Sequence, residues 1–421
     1  MKALRGTKDI LPDEIKTWQT IYNIANKTLT THNYKEIRTP IIEHTELFKR
    51  SIGTFTDIIN KEMYTFNDQS NRNITLRPEG TASIARAYIT NKLYSKRSIQ
   101  RLWYLGPMFR YERPQKGRQR QFHQLGIECL GSNMPVADIE VIKLANDILK
   151  QIENEEQYLL EINSIGNLQE REKYKVELIN YLKKYENELD NDSKNRINNN
   201  TLRILDTKDL KTQEILTTAP KLKTYLSESS IKHFDTVCEH LTYLNIKYKI
   251  NHYLIRGLDY YNHTAFEIKT KELNQQNTIC GGGRYDNLIK QLGGPNIPAV
   301  GWAIGLERLI ILMREKLTNR IEENIIYIAL RSFNKSNIIW DIIDILKEYE
   351  IQFELDLSNS NLTKQIKKAH QLKSKICLIL GENEINNESI TIKWLETRLQ
   401  QTIEIRNLRQ YIKYLKINSV T

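Results

Sequence analysis

Glycine is distributed along this chain in a way that restricts its architecture more than any other feature. Of 17 glycines in 421 residues, eight fall in 1–166 and eight in 257–305; one more is Gly381, and none lies between Asn167 and Arg256. Glycine permits tight turns and close approach of backbone to a ligand, so the two rich blocks are where a site is assembled. The stretch between them is polar, with helical runs over Gln169–Tyr185 and Ile231–Leu244 and an Asn-rich tract, Asn195–Asn200. One discontinuous site-bearing domain interrupted by a helical insertion is the expected organisation. After about Arg320, strand-like Ile325–Leu330, helical Ser336–Tyr349, strand-like Ile351–Leu357, helical Leu362–Leu372 and strand-like Lys375–Leu380 follow in turn. That alternation predicts a small α/β module around a parallel or mixed sheet.

Charge narrows the partners less than glycine narrows the fold. The chain has 62 Lys+Arg against 51 Asp+Glu, a formal charge of +11, which invites an anionic partner. A composition heavy in Lys, Asn and Ile explains the same excess, and the last 98 residues carry only 14 − 11 = +3. At 40% hydrophobic and 27% charged, the chain reads as a soluble globular protein of two or three domains. No run approaches the ~18–20 apolar residues of a membrane span. Met1–Asp9 has no apolar segment, so neither a membrane nor a signal peptide is expected. Cys129, Cys238, Cys280 and Cys377 are at least 42 residues apart, without C-x-x-C or zinc spacing, which suggests a reducing, cytoplasmic setting and no metal site.

Familiar nucleotide motifs are missing. Gly126–Gly131 followed by Ser132 lacks the P-loop lysine, and no G-x-G-x-x-G follows a strand. The most telling segment of the first block is Ile99–Gly131, two strand-like runs joined by a basic loop. Side chains alternate along a strand, so Phe109 and Tyr111 share one face and Arg110 and Glu112 the other. In the second run Leu125, Ile127 and Cys129 form an apolar face, while Phe122, Gln124, Gly126 and Glu128 form a polar one suited to the floor of a site. Between the runs, Arg110–Arg120 carries five cations against one anion. Close cations repel unless an anion intervenes, so phosphate is a natural partner, with a solvated hairpin tip as the simpler alternative. Upstream, in Leu76–Thr81, Gly80 frees a turn and Thr81 reads as a helix N-cap. Glu79 either complements the helix dipole or faces a substrate amine.

In the second block, Arg256-Gly257-Leu258-Asp259-Tyr260-Tyr261 is a dense polar-aromatic cluster in which Asp259 either caps a turn and pairs with Arg256 or helps build a site. Cys280–Asp286 holds three consecutive glycines, which bring bare backbone close to something flat or small, or else make a hairpin turn. Pro298–Leu312 reads as a buried strand, Ala299–Ile304, running into a helix from Gly305. Leu306, Leu309, Ile310 and Met313 form its core stripe, and Arg308 points away near the helix start. A cation there opposes the helix dipole unless an anion binds beside it.

At these residues the chain resembles the class II aminoacyl-tRNA synthetases and, more closely, the bacterial-type histidyl-tRNA synthetases, essentially from end to end. Tyr34–Pro40 resembles motif 1, Phe109-Arg110-Tyr111-Glu112 motif 2 and Gly305-Leu306-Glu307-Arg308 motif 3. Arg256–Tyr261 and Gly282–Asp286 resemble the two signatures peculiar to the histidyl enzymes. Departures are Cys280-Gly281, where Cys-Ala is more usual, and a poor match around Leu357–Lys364. The resemblance implies an α+β fold: an antiparallel six-stranded catalytic domain over 1–322 with a helical insertion at about 168–245, then an anticodon-binding α/β domain over 323–421. It implies a histidine–tRNA ligase that forms histidyl-adenylate from histidine and ATP and acylates the terminal ribose of histidine tRNA. The alternative is a non-catalytic paralogue regulating histidine biosynthesis.

The same resemblance assigns roles. Arg110 and Arg256 would be catalytic, on opposite sides of the α-phosphate and substrate carboxylate. Arg118 and Arg308 would hold the distal phosphates, with Glu112 also on ATP. Mg²⁺ would be held mainly by ATP. Glu79, Thr81 and Gln124 would hold the histidine amino group, and Glu128 and Tyr261 its imidazole, with Tyr260 and Tyr285 also in the histidine site. Arg113 and Gln115 would meet the tRNA acceptor end. A cytoplasmic homodimer is implied through motif 1.

Overall fold

Strands with two unlike faces build the larger of two units. The computed structural model describes all residues except 54–55, 116, 153–157, 271–277, 318–324, 332–336, 359 and 419–421. The chain divides into Met1–Leu317 and Thr318–Thr421; the boundary expected between residues 322 and 323 lies outside the described residues.

In the first unit the strands are β1 (Lys35–Glu36), β2 (Ile42–His44), β3 (Tyr64–Asn67), β4 (Asn73–Leu76), β5 (Gln100–Phe109), β6 (Gln121–Leu130), β7 (Tyr158–Ser164), β8 (Tyr248–Ile250), β9 (Asn262–Thr270), β10 (Thr278–Arg284) and β11 (Ala299–Gly305). Eight of them form one sheet in the order β1-β5-β6-β11-β10-β9-β7-β8. The six inner strands pair antiparallel, and the short β1 and β8 add parallel edges. A sheet ordered β2-β4-β3 stands apart.

The alternation along β6 separates two cores. Leu125, Ile127 and Cys129 join Trp103, Val300, Trp302 and Ile304 beneath the helices Pro12–Thr31, Pro135–Ile152 and Leu306–Leu317. Burying each large apolar side chain there stabilises the sheet by about 1.5–3 kcal/mol. The Trp302 indole also donates to Val141 O at 2.8 Å, tying β11 to the helix above it. On the other face Leu102, Tyr104, Ala265 and Ala299 pack with the helix Thr81–Thr90 and with side chains of the insertion, such as Tyr174 and Leu178. The glycine-free middle folds because its helices are capped. Asn167, Asp190, Asp209 and Ser227 cap Leu168–Lys183, Asn191–Arg196, Leu210–Thr217 and Glu228–Tyr243. Each cap contributes on the order of 1 kcal/mol.

Two local expectations are corrected and one alternative is ruled out. β5 ends at Phe109, so Arg110 and Glu112 lie in the turn beyond it, where the Glu112 amide donates to Arg110 O at 2.8 Å. Thr81 is the first residue of its helix and not the cap; Glu79 takes that task, accepting from the Thr81 and Ala82 amides at 2.6 and 2.7 Å. Gly281, Gly282 and Gly283 sit inside β10 and not in a hairpin turn.

In the second unit, β12 (Ile326–Leu330), β13 (Phe353–Leu355), β14 (Ile376–Leu380), β15 (Ser389–Trp394) and β16 (Gln400–Glu404) form a mixed sheet ordered β13-β12-β14-β15-β16. The first three strands in that order are parallel, and β15 and β16 extend the sheet antiparallel. Ile328 and Leu330 face the helices Ile338–Glu348 and Ile405–Asn418, while Tyr327 and Ala329 face Leu362–Gln371.

Candidate functional site

The polar face of β6, the glycines of β10 and the start of the helix Leu306–Leu317 surround a cavity of about 610 Å³ in the first unit. Arg110, Arg118 and Arg308 gather at one end, with Glu112 among them. Arg110 donates through Nε to Pro78 O at 2.9 Å and lies over the Phe122 ring. Glu112 pairs with Arg118 at 3.1 Å and with Arg110 at 3.9 Å. Arg308 donates to Thr278 O across the sheet. Burial, followed by repulsion from Arg118, pulls the Arg308 guanidinium below its usual range. Glu112 and Glu62, the latter raised by burial, face three guanidinium groups, so an anion lowers the energy of this end.

The loop's charge does not converge as a whole. Arg120 stacks on the Tyr111 ring at 3.7 Å, Arg113 is exposed, and Lys116 lies outside the described residues. Gln115 pairs with Arg118 through the backbone at the hairpin tip and borders the cavity.

Arg256 crosses the middle. Its Nη1 meets Glu267, and its guanidinium rests on Gly281, where a Cβ would stand 2.1 Å from Nη2. This is the flat group that the glycine run admits. Asp259 is not its partner: the charges bearing on Asp259 are those of Arg171, Arg203 and Lys175. Glu267 in turn accepts from Thr278 Oγ1 at 3.0 Å and lies 3.7 Å from Lys269.

The far end is acidic and aromatic. Glu79, Thr81, Gln124, Tyr260 and Tyr261 are on the cavity wall; Glu128 and Tyr285 lie behind it. Glu128 accepts from Thr81 Oγ1 at 2.7 Å and from the Tyr285 hydroxyl. The phenol that reaches Glu128 is that of Tyr285; the Tyr261 ring, expected with Glu128 about the imidazole, is 6.4 Å from that of Tyr285. Burial pushes the Glu128 carboxyl up to about 8, against the opposing effect of those two hydroxyls. Burial also raises Glu79, despite the helix amides it accepts. Four buried polar atoms of cavity-lining residues have no hydrogen-bond partner among the described residues: Arg256 Nε, Gln124 Oε1, the Tyr104 hydroxyl and Glu112 Oε2, the last of which has only its ion pair with Arg118. Buried polar groups are normally paired, so unpaired ones mark where a ligand's groups belong.

Sequence reasoning missed Tyr104, Thr278 and Glu267. Glu267 and Lys269 share one face of β9, and that same-side charged pair was the available signal. Tyr104 stands opposite Gly126, a pairing visible only once the register is known.

Comparison with known proteins shows the family. A family model described as histidyl-tRNA synthetase matches residues 6–309, and one described as anticodon binding domain matches 325–415. The chain is 61% identical to a protein of Gracilaria tenuistipitata var. liui named histidine–tRNA ligase, chloroplastic, covering 99% of both. It is 49% identical to a histidine–tRNA ligase of Rippkaea orientalis, covering 99% of this chain and 97% of that one. The crystal structure of apo S. aureus histidyl-tRNA synthetase superposes with a TM-score of 0.80 at 34% identity, over 98% of this chain and 99% of that one.

Proposed function

Because this chain belongs to the histidyl-tRNA synthetase family and is a histidine–tRNA ligase, we propose that its cavity holds histidine and ATP end to end. The observation that carries this arrangement is the lining of one cavity by Arg110 and Arg308 at one end and Arg256 in the middle, with the buried acids Glu79 on the wall and Glu128 behind it at the other end. The substrate carboxylate, with a pKa near ~3.5, is already ionised at neutral pH, so the first step needs no general base. Its obstacle is an anion attacking an anion. A carboxylate oxygen bonds to the α-phosphorus, the bond to the β-phosphate oxygen breaks, and pyrophosphate leaves. Positioning and charge neutralisation lower that barrier.

Arg110 and Arg256 flank the α-phosphate and carboxylate, where planar forks bind both groups bidentately. Arg118 and Arg308 take the distal phosphates, and Glu112 orients Arg110 and Arg118 toward ATP. Mg²⁺ enters as part of the nucleotide substrate. Glu79, Thr81 and Gln124 hold the amino group. Glu128, Tyr260, Tyr261 and Tyr285 enclose the imidazole, whose one donor and one acceptor suit a carboxyl and a phenol. Arg113 and Gln115, exposed on the loop, meet the tRNA acceptor end.

We assign catalysis to the first unit, with residues 168–245 as its insertion, and anticodon binding to the second. A homodimer through Tyr34–Pro40 is part of the same reading. The setting we propose, coarser than the cytoplasm expected from the cysteines, is a reducing aqueous compartment. All four cysteines are free, and similar proteins carry both plain and chloroplastic names. Among the described residues no helix is long and apolar enough to cross a membrane. Histidine-dependent ATP–pyrophosphate exchange tests the arrangement. The wild-type chain should exchange with histidine and not with other amino acids, and absence of exchange would refute it.

A further inference from the structure

Tyr104 faces Gly126 across the β5–β6 pair. The end of its ring is held between two bare α-carbons: a Cβ added at Gly126 or at Gly80 would stand 2.4 Å from Cζ. This slot fixes where the hydroxyl goes. Tyr104 lines the cavity, and its hydroxyl is buried without a hydrogen-bond partner. An unpaired buried hydroxyl costs roughly 1–3 kcal/mol, which a bound group of the right chemistry would recover. Burial, then the charges of Glu128 and Glu79, raise the phenol well above its usual range, so it keeps its proton. Its oxygen still has lone pairs to offer.

The neighbours say what it would accept. Gln124 Oε1 is also buried and unpaired, and the Glu79 carboxyl, which accepts from the Thr81 and Ala82 amides, is on the same wall. An ammonium has three N–H donors and no acceptor, so a set of oxygens is what it needs. On the reading that this cavity takes histidine, we propose that the Tyr104 hydroxyl is a further oxygen, beside those of Glu79, Thr81 and Gln124, that accepts the substrate's α-ammonium. Tyr104 then makes the site select an α-amino acid over its deaminated analogue, because a polar group built for a missing partner is left unpaired.

Tyr104→Phe in the full chain tests this, with calorimetric titration of histidine, histidinol and 3-(imidazol-4-yl)propionate. Histidinol keeps the ammonium and lacks the carboxylate; the propionate does the reverse. Losing a hydrogen bond to a charged group should weaken histidine and histidinol by about tenfold to a hundredfold. The propionate should change by less than about twofold, and KM for ATP should stay unchanged, as for a contact made only to the ammonium. Unaltered histidine binding, or equal weakening of all three ligands, overturns the proposal. The hydroxyl makes no internal bond, so ligand-free Tyr104→Phe should melt no lower than wild type; a lower melting temperature would show that the hydroxyl serves the fold instead. Lack of histidine-dependent exchange by the wild-type chain is a separate result, and it would remove the ligase reading on which the proposal stands.

Discussion

Replacing Glu128 with glutamine should abolish a pH dependence of stability that the buried carboxyl imposes. Glu128 is 1% exposed and sits between the Thr81 and Tyr285 hydroxyls. Its folded value is about 8, against 4.5 for the ordinary group. The folded chain thus holds this proton more tightly than the unfolded chain. The stability it contributes is complete below about pH 4.5 and is lost as pH rises through about 8. Within that window the loss approaches about 1.4 kcal/mol per pH unit. From about pH 5.5 to about pH 7.5 it sums to about 2.5 kcal/mol for the wild type. The amide of Glu128→Gln cannot ionise, and both neighbouring hydroxyls can reverse donor and acceptor roles to suit it. Urea unfolding of both proteins across this range is the measurement, because the other titrating groups cancel in the difference. The stability of Glu128→Gln minus that of wild type should climb by about 2.5 kcal/mol over the interval. A difference that stays flat with pH would mean that Glu128 is ionised in the folded pocket, and the reasoning from burial would fail. The same variant should weaken histidine far more than ATP.

Arg256→Ala should lower adenylate formation by ~10²–10³, as for the loss of one donor to a developing charge, measured by pyrophosphate exchange. The fold should tolerate it, since Glu267 keeps Thr278 and Lys269; near-normal exchange would remove Arg256 from the chemistry. Asp138→Ala strands Arg284, which is 1% exposed and donates to Asp138 at 2.5 Å. Breaking a buried pair costs about 3–5 kcal/mol, and because Asp286 still faces Arg284 the lower end is expected in urea unfolding.

Much of the architecture was legible because it depends on neighbours along the chain. The period-two pattern of Leu125, Ile127 and Cys129 against Gln124 and Glu128 announced a strand with a core side and a polar side, and those sides are what the sheet uses. A helical insertion after Asn167 was readable from its lack of glycine and from the runs Gln169–Tyr185 and Ile231–Leu244, while the short helices Asn191–Arg196 and Leu210–Thr217 were not. The loop Arg110–Arg120 was readable only as a count of charges. Arg110 turns to the cavity because Pro78 O and the Phe122 ring, both outside the loop, hold it, and Arg120 folds back onto Tyr111 within the loop.

Other features arise from segments far apart in the chain. Glu128 meets Tyr285 across 157 positions because β11 runs between β6 and β10, pairing Gly301 with Glu128 on one side and with Gly283 on the other. A Cβ at Gly301 would stand 2.0 Å from Glu128 Oε2, so that carboxyl has room only where this register holds. Likewise Glu79 caps a helix where Thr81 was expected to, since the oxygen that wins is the one whose reach fits the turn. Local alternation and composition settle which residues are apolar, charged or bent. Which hydroxyl reaches a given acid, and which guanidinium rests on a given glycine, follows from close packing of distant strands, where a shift of one residue would reverse every face.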